Sequence, residues 1–360
     1  MIHFTPADWK RIRETYAAWW DNRLPRALMG GDCNIYPPDC PDSGAPWPNQ
    51  SNIHDFSVPP EAIAQNWARS LSRKAFIGDA FPCVTNHAFG PGVMAAFLGA
   101  KLDNATGRVW FCVDKPRNLA DMHFEYDPDN PWLKRVKALT RAAAEAFEGN
   151  AVICMTDIGG VMDVLQSFRP GELLPLDLYD DPENVVRLLT ELEALWRVFY
   201  ADLRAEMRGV PGYSDWLGVY SDAPSYTIQC DFAYMISPDM FRRFVRPTLV
   251  RQCAYLERST YHLDGIGQLA HLDDLLTIPN LRAVQWQPGD GKPTGAYWAD
   301  VLRKIRAAGK GAVVSYDGYA EAEAVIAALG SGAGLHFGMR SIAPEDLEKS
   351  IARIEAIRRL

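Results

Sequence analysis

Short apolar runs alternate with helical patterns along most of the chain. From residue 130 onward, amphipathic patterns predict helices over 131–148, 182–208, 238–256, 268–277, 296–309, 320–329 and 344–358. Strand-length apolar runs separate these helices, at 151–157, 216–222, 259–265, 281–289, 311–318 and 332–338. The runs do not alternate between polar and apolar residues, which is typical of strands buried on both faces of a parallel sheet.

The N-terminal third adds two further strand–helix units. The elements predicted there are a helix at 6–23, a strand at 26–31, a helix at 59–75 and a strand at 81–86. The Pro-rich stretch Tyr36–Asn52 has no periodicity and is predicted to be a long loop. Eight strands separated by helices favour an α/β fold, a closed (β/α)8 TIM barrel with an N-terminal helical extension and a long loop insertion. We expect one domain over 1–360, and a doubly wound sheet with an extra lobe is the alternative.

Composition and charge restrict the class of protein. The 360 residues contain 37 Lys and Arg against 45 Asp and Glu, a net charge of −8, which disfavours nucleic acid as a partner. The stretch 1–14 lacks the apolar region of a signal peptide, and no apolar run is long enough to span a membrane. The seven cysteines form no CxxC motif. We therefore expect a reduced, cytoplasmic protein.

Polar and aromatic residues follow the apolar runs. In a barrel the carboxyl ends of the strands converge on one face, where active sites lie. Strand ends also become polar simply because they leave the core. If these strand ends form an active site, we expect substrate binding by Asp32, Asp157, Tyr220, Gln229, Trp286, Gln287, Tyr316 and His336.

The strongest local motif is Tyr261-His262-Leu263-Asp264-Gly265. Residues two apart in a strand share a face, so the imidazole and the carboxylate point the same way. The pair is suited to metal binding or to acid–base chemistry, and an ordinary structural hydrogen bond is the alternative.

Cys230 and Asp231 follow the segment 220–228. The adjacent carboxylate makes the thiol a poor nucleophile. We predict a metal site of His262, Asp264 and Cys230, and catalytic roles for Asp231, His262 and Asp264. A purely structural role for Cys230 is the alternative.

Segments 212–247 and 259–289 resemble the uroporphyrinogen decarboxylase superfamily, which also contains methylcobalamin:coenzyme M methyltransferases. The matching residues are Cys230-Asp231, Ile236-Ser237-Pro238, His262–Gly265, Val284–Gln287 and Lys304–Lys310. The resemblance implies a (β/α)8 barrel with its site at the carboxyl ends of the strands.

The chain departs from the family pattern in two places, and the first departure disfavours a porphyrinogen substrate. Uroporphyrinogen decarboxylases carry an Arg-rich segment after the first strand, whereas Gly30–Pro38 contains no Arg and one Asp. The methyltransferases bind zinc through an H-x-C pair and a later Cys. Here His262 matches the His, Asp264 stands at the first Cys position and Met339 stands near the second. The resemblance implies a zinc site that is richer in oxygen ligands, and the alternative is that no metal is bound.

These observations predict a methyltransferase that moves a methyl group between a small substrate and a corrinoid, thiol or folate acceptor. The resemblance implies a corrinoid carried by a partner protein, and a homodimer. The alternatives are decarboxylation of a small organic acid and a non-catalytic barrel that binds a ligand. The Gly159-Gly160 turn lacks the Lys and the glycine pattern of nucleotide sites, so we expect no nucleotide cofactor. We expect that its glycines instead let the backbone lie close to a ligand or to the neighbouring strand. The acidic strand ends favour a neutral, cationic or metal-bound substrate.

Overall fold

The computed structural model describes residues 1–360, apart from the side chain of His87. The strands β1–β12 are Gly30–Asn34, Lys74–Gly78, Cys83–Val84, Lys101–Asp103, Trp110–Cys112, Val152–Ile153, Ser225–Gln229, Arg258–Asp264, Leu281–Gln287, Gly311–Val314, Leu335–Phe337 and Arg340–Ile342. The helices α1–α13 are Pro6–Trp20, Pro60–Ser72, Met94–Phe97, Pro131–Phe147, Val161–Phe168, Leu173–Asp180, Pro182–Ala205, Pro238–Met240, Arg246–Tyr255, Leu272–Leu276, Ala299–Ala307, Tyr319–Leu329 and Leu347–Ile357. A π-helical turn, Phe241–Val245, joins α8 to α9.

Five parallel strands form the main sheet, in the order β11-β10-β9-β8-β7. Sequential strands are therefore neighbours, and the segments between them contain helices, as crossovers between parallel strands commonly do. The register places His262 of β8 opposite Gln229 of β7 on one side and Gln285 of β9 on the other. Asp264 lies opposite Gln287. The α/β class is thus confirmed, and the sheet brings polar residues from three strands side by side.

The remaining strands pair in smaller groups. β1 lies between β12, which is parallel to it, and β2, which is antiparallel; β3 pairs with β6 in parallel, and β4 and β5 form a hairpin. Single parallel bridges join Leu28 to His336 and Met155 to Asp215. Among the described residues these ladders do not join into one closed ring, so the predicted barrel closure is not shown.

The strand predicted at 216–222 is wrong, and the strand at this place in the fold is Ser225–Gln229. The predicted segment instead turns back on itself, with Gly218 at φ +81° and an antiparallel bridge between Tyr213 and Ser221. The carboxylate of Asp215 accepts hydrogen bonds from the backbone N–H groups of Leu217 and Thr227. A side chain thus takes the place of a neighbouring strand along the edge of β7.

Helix α1 covers one end of the main sheet. Its Tyr16, Trp19 and Trp20 are buried, and the indole N–H of Trp20 donates to the carbonyl of Tyr220 at 2.9 Å. A Cβ at Gly311, the first residue of β10, would lie 2.7 Å from the Trp19 ring, so only glycine fits there. Because α1 packs at the amino end of β10, the opposite, carboxyl end is left for a binding site.

None of the helices among the described residues has the length and apolar character that crossing a membrane requires.

Candidate active site

Asp231, His262 and Asp264 converge beyond the main sheet. Each offers one ligand atom, and these atoms lie within 4.8 Å of one another. His262 and Asp264 belong to β8 and share one face, while Tyr261 and Leu263 are fully buried on the other. Asp231 begins the 3-10 turn that follows β7, so parallel pairing of β7 with β8 carries its carboxylate to the same place. We call these three residues the ligand cluster.

A hydrogen bond orients the imidazole of His262. Its Nδ1 lies 2.6 Å from Oε1 of Gln285 on β9, so Nδ1 carries the proton and donates it. The edge of the ring packs against Trp216, with the ring centroids 5.1 Å apart. Nε2 lies 3.9 Å from Oδ2 of Asp264. The nitrogen with the free lone pair therefore faces the carboxylates, which is the arrangement of a metal-ligating histidine.

Asp163 of α5 holds the backbone next to the ligand cluster in place. Its carboxylate accepts the backbone N–H groups of Asp231 at 3.0 Å and Phe232 at 2.8 Å. A Cβ at Gly160, just before α5, would collide with the Asp163 carboxylate and with the Gln229 carbonyl. The sequence prediction that glycine permits a close backbone approach here is therefore confirmed.

Burial and mutual repulsion raise the pKa of the carboxyl groups in this region. Burial, and then the charge of Asp231, raise the pKa of Asp163 to about 7. Asp231 is open to solvent on one side yet enclosed by protein on the others, and this burial, with the charge of Asp264, raises its pKa to about 7. Burial also raises the pKa of Asp157, whose carboxylate accepts the N–H of Gly159 at 2.8 Å. So many carboxyl groups together favour a bound cation.

A cavity of about 300 Å³ adjoins the ligand cluster. Asp163, Gln229 and Asp231 line one side of it, and Trp110 and Phe111 of the β4–β5 hairpin line another. The cavity is large enough for a small organic molecule beside a metal ion.

Other residues predicted from the sequence occupy varied places. The side chain of Gln229 donates to Asp157 at 3.4 Å, beside the cavity, and Gln287 accepts the hydroxyl of Ser315 at 2.6 Å. The Tyr316 hydroxyl donates to the carbonyl of Gly338 at 3.2 Å, and its ring lies under Arg340. Asp32 forms an ion pair with Lys74 at 3.1 Å, on the β1–β2 ladder.

Three predicted residues are not brought to the ligand cluster. Tyr220 is fully buried against α1, and its hydroxyl donates to the carbonyl of Pro211 at 2.8 Å. His336 packs between Tyr16 and Trp19, where burial lowers its pKa to about 4. Trp286 packs against Trp298 on the face of β9 opposite to Gln285. Each of these three side chains therefore lies in the core, and their predicted substrate contacts stay predictions.

Cys230 also lies outside the ligand cluster, contrary to the predicted metal site. Its side chain is buried, and burial together with the charge of Asp163 raises the pKa of the thiol. The third member of the ligand cluster is its neighbour Asp231, because successive side chains of an extended segment point in opposite directions.

Asp163 and Gln285 are not among the site residues predicted from the sequence. Gln285 has a local signal, since it is two residues before Gln287 and shares its face. Asp163 has a weaker one, as the first acidic residue of the helix after Gly159-Gly160.

Neither models of protein families nor curated protein sequences give a significant match to the chain. Among solved structures, the chain is similar to a methyltransferase from Methanosarcina mazei, with a TM-score of 0.61 and 14% sequence identity. The similarity covers 97% of this chain and 98% of that one. The two proteins therefore share a fold along nearly their whole lengths.

Proposed function

We propose that this protein is a methyltransferase that acts at the ligand cluster, moving a methyl group between a small substrate and a corrinoid, thiol or folate acceptor. The observation that carries the proposal is the convergence of Asp231, His262 and Asp264 within 4.8 Å, with the imidazole already oriented by Gln285. The fold shared with a methyltransferase over 97% of the chain supports the same reaction class.

The donor set fits a metal ion. It consists of one imidazole nitrogen and two carboxylates, and Zn²⁺ binds both ligand types, usually with four ligands. Three protein ligands leave one position open for a substrate, as in catalytic zinc sites. When bound, zinc would supply positive charge that stabilises a thiolate or another anionic acceptor.

The residues around the ligand cluster position its members. Gln285 holds the tautomer of His262 in which Nε2 is unprotonated. Asp163 holds the backbone of Asp231 and Phe232 through two hydrogen bonds, which fixes the direction of the Asp231 carboxylate. Trp216 packs against the imidazole and limits its rotation. These contacts organise the ligands before a metal arrives, which reduces the entropic cost of binding.

The proposal extends to the fold and to the partners. The bridges from Leu28 to His336 and from Met155 to Asp215 support a single domain in which the smaller ladders complete an irregular (β/α)8 barrel, as the superfamily resemblance implies. A corrinoid carried by a second protein remains the proposed methyl carrier, and a homodimer the proposed assembly.

The metal is tested by elemental analysis of the purified protein. We expect about one equivalent of zinc per chain in the wild type and its loss in His262→Ala. The matched control is His123→Ala, because His123 is an exposed histidine that pairs with Glu191 on the surface. Equal zinc content in the wild type and His262→Ala would contradict the proposed ligand set.

The reaction is tested by methyl exchange with methylcobalamin in the presence of thiol and folate acceptors. We expect demethylation of the corrinoid with at least one acceptor, and its loss in His262→Ala. No exchange with any acceptor, together with release of CO₂ from a candidate acid, would favour the decarboxylase alternative. The cavity already disfavours a polycarboxylate, because its described lining contains Asp163 and Asp231 but neither Lys nor Arg.

A further inference from the structure

Glycines, carboxyl groups and aromatic rings line the cavity beside the ligand cluster. It is bounded by Gly92 and Gly159 at its base, by α5 with Asp163, and by Trp110 and Phe111 of the β4–β5 hairpin. Its volume of about 300 Å³ is many times that of a metal ion and lies at the lower end of the range for small-molecule sites. An organic molecule of a few heavy atoms therefore fits the space.

The polar side chains that line this cavity are those of Asp163, Gln166, Ser167, Gln229 and Asp231. Asp163 and Asp231 contribute carboxylates, and no Lys or Arg is among the described lining residues. The nearest arginine along the chain, Arg169, is held away by a bidentate ion pair with Asp177, at 2.6 and 2.7 Å. An anionic ligand would find no compensating charge in this cavity.

Gln229 provides a second, independent indication of a ligand. Its side chain is only 5% exposed and lines the cavity, and its amide nitrogen makes only long contacts with Asp157, at 3.4 and 3.5 Å. Its amide oxygen accepts no hydrogen bond from the described residues. Because this oxygen is open to the cavity, a ligand that offers positive charge or a hydrogen-bond donor would find an acceptor there.

Trp110 contributes an aromatic face at the rim. Its side chain is 60% exposed although it belongs to a paired strand, opposite Asp103 of β4. An exposed indole ring in a cavity that also contains carboxylates is suited to an organic cation, because the ring quadrupole attracts positive charge.

From these contacts we infer that the cavity binds a small organic cation of the ammonium type, held by the Trp110 face, the Asp163 carboxylate and the Gln229 amide oxygen. The inference rests on the proposed function only in naming this cation as the substrate class of the methyl transfer. Binding itself requires no methyl transfer and no metal.

The test compares choline with its neutral isostere, 3,3-dimethylbutan-1-ol, by isothermal titration calorimetry on the full chain after treatment with a chelator. We expect choline to bind at least about tenfold more tightly, because the two molecules differ mainly in charge. Trp110→Leu should weaken choline binding by about 2- to 30-fold, the range of a cation–π contact, while Trp110→Phe should retain most of it.

Trp47→Leu is the matched control. Trp47 is a second exposed tryptophan, 55% exposed, that lines a different cavity beneath the Pro-rich loop. Its loss should leave choline affinity unchanged. Equal binding of the two isosteres, no choline binding, or an unchanged affinity in Trp110→Leu would overturn the inference.

The outcomes separate this inference from the proposed function. Choline binding without any methyl exchange would leave the cation site standing and remove the methyltransferase. Methyl exchange without choline binding would support the methyltransferase and overturn the cation site.

Discussion

The hydrogen bond between Gln285 and His262 makes a quantitative prediction about metal affinity. In Gln285→Leu the side chain keeps a similar volume but loses the oxygen that lies 2.6 Å from Nδ1. The Nδ1–H then has no acceptor, and the ring is free to adopt the other tautomer or to turn away from Asp231 and Asp264. Removal of such a partner costs about 10- to 100-fold in metal affinity, or about 1.4–2.7 kcal/mol.

The assay is competition for zinc between the protein and a chromogenic chelator of known affinity. Gln287→Leu is the matched control, because Gln287 is on the same strand and the same face but accepts the hydroxyl of Ser315. We expect Gln287→Leu to bind zinc as the wild type does. Gln285→Glu retains an acceptor for Nδ1–H and should bind zinc at least as tightly as the wild type.

Two results would refute this reasoning. The first is zinc affinity in Gln285→Leu within a factor of about two of the wild type, since the orienting bond would then contribute almost nothing. The second is an equal loss in Gln287→Leu, which would mean that any change in β9 disturbs the site.

Three further predictions follow from contacts in and around the site. The pKa of Asp231 is raised to about 7, so protons compete with zinc for its carboxylate below that pH. Zinc affinity, measured by competition with the chromogenic chelator, should therefore fall as the pH is lowered through 7 and level off above it. A zinc affinity that does not change with pH would contradict this. Cys230→Ala should leave the zinc content unchanged by elemental analysis, because Cys230 lies outside the ligand cluster, and loss of zinc would restore the thiol as a ligand. Asp79→Ala should lower the free energy of unfolding by about 3–5 kcal/mol in urea denaturation, because the fully buried carboxylate pairs with Arg26 at 2.7 Å and Arg358 at 3.1 Å. The exposed pair of Asp300 provides the control, and Asp300→Ala should cost less than about 1 kcal/mol.

The helices and the central strands could be predicted from the sequence because their signals are local. The helix predicted at 131–148 is found at Pro131–Phe147, where Asn130 caps its N-terminus, and the strand predicted at 281–289 is found at Leu281–Gln287. The strand predicted at 216–222 failed although its apolar pattern looked similar. The turn at Gly218 and the hydrogen bonds of Asp215 prevent this segment from forming a strand, and an apolar pattern shows neither feature.

The candidate site divides in the same way. Period-two alternation by itself determined that His262 and Asp264 share a face, because alternation depends only on the backbone of one strand. The same alternation, applied to 285–287, would have selected Gln285 and rejected Trp286.

Only the tertiary structure decided which residues complete the site. Asp231 joins His262 because β7 pairs with β8 in one register, Gln285 because β9 pairs on the other side, and Asp163 because α5 packs beneath the turn after β7. Register and packing depend on how segments tens of residues apart fit together, and a shift of one residue would turn every side chain to the opposite face. The sequence by itself therefore determined the chemistry of one strand, and the tertiary contacts chose its partners.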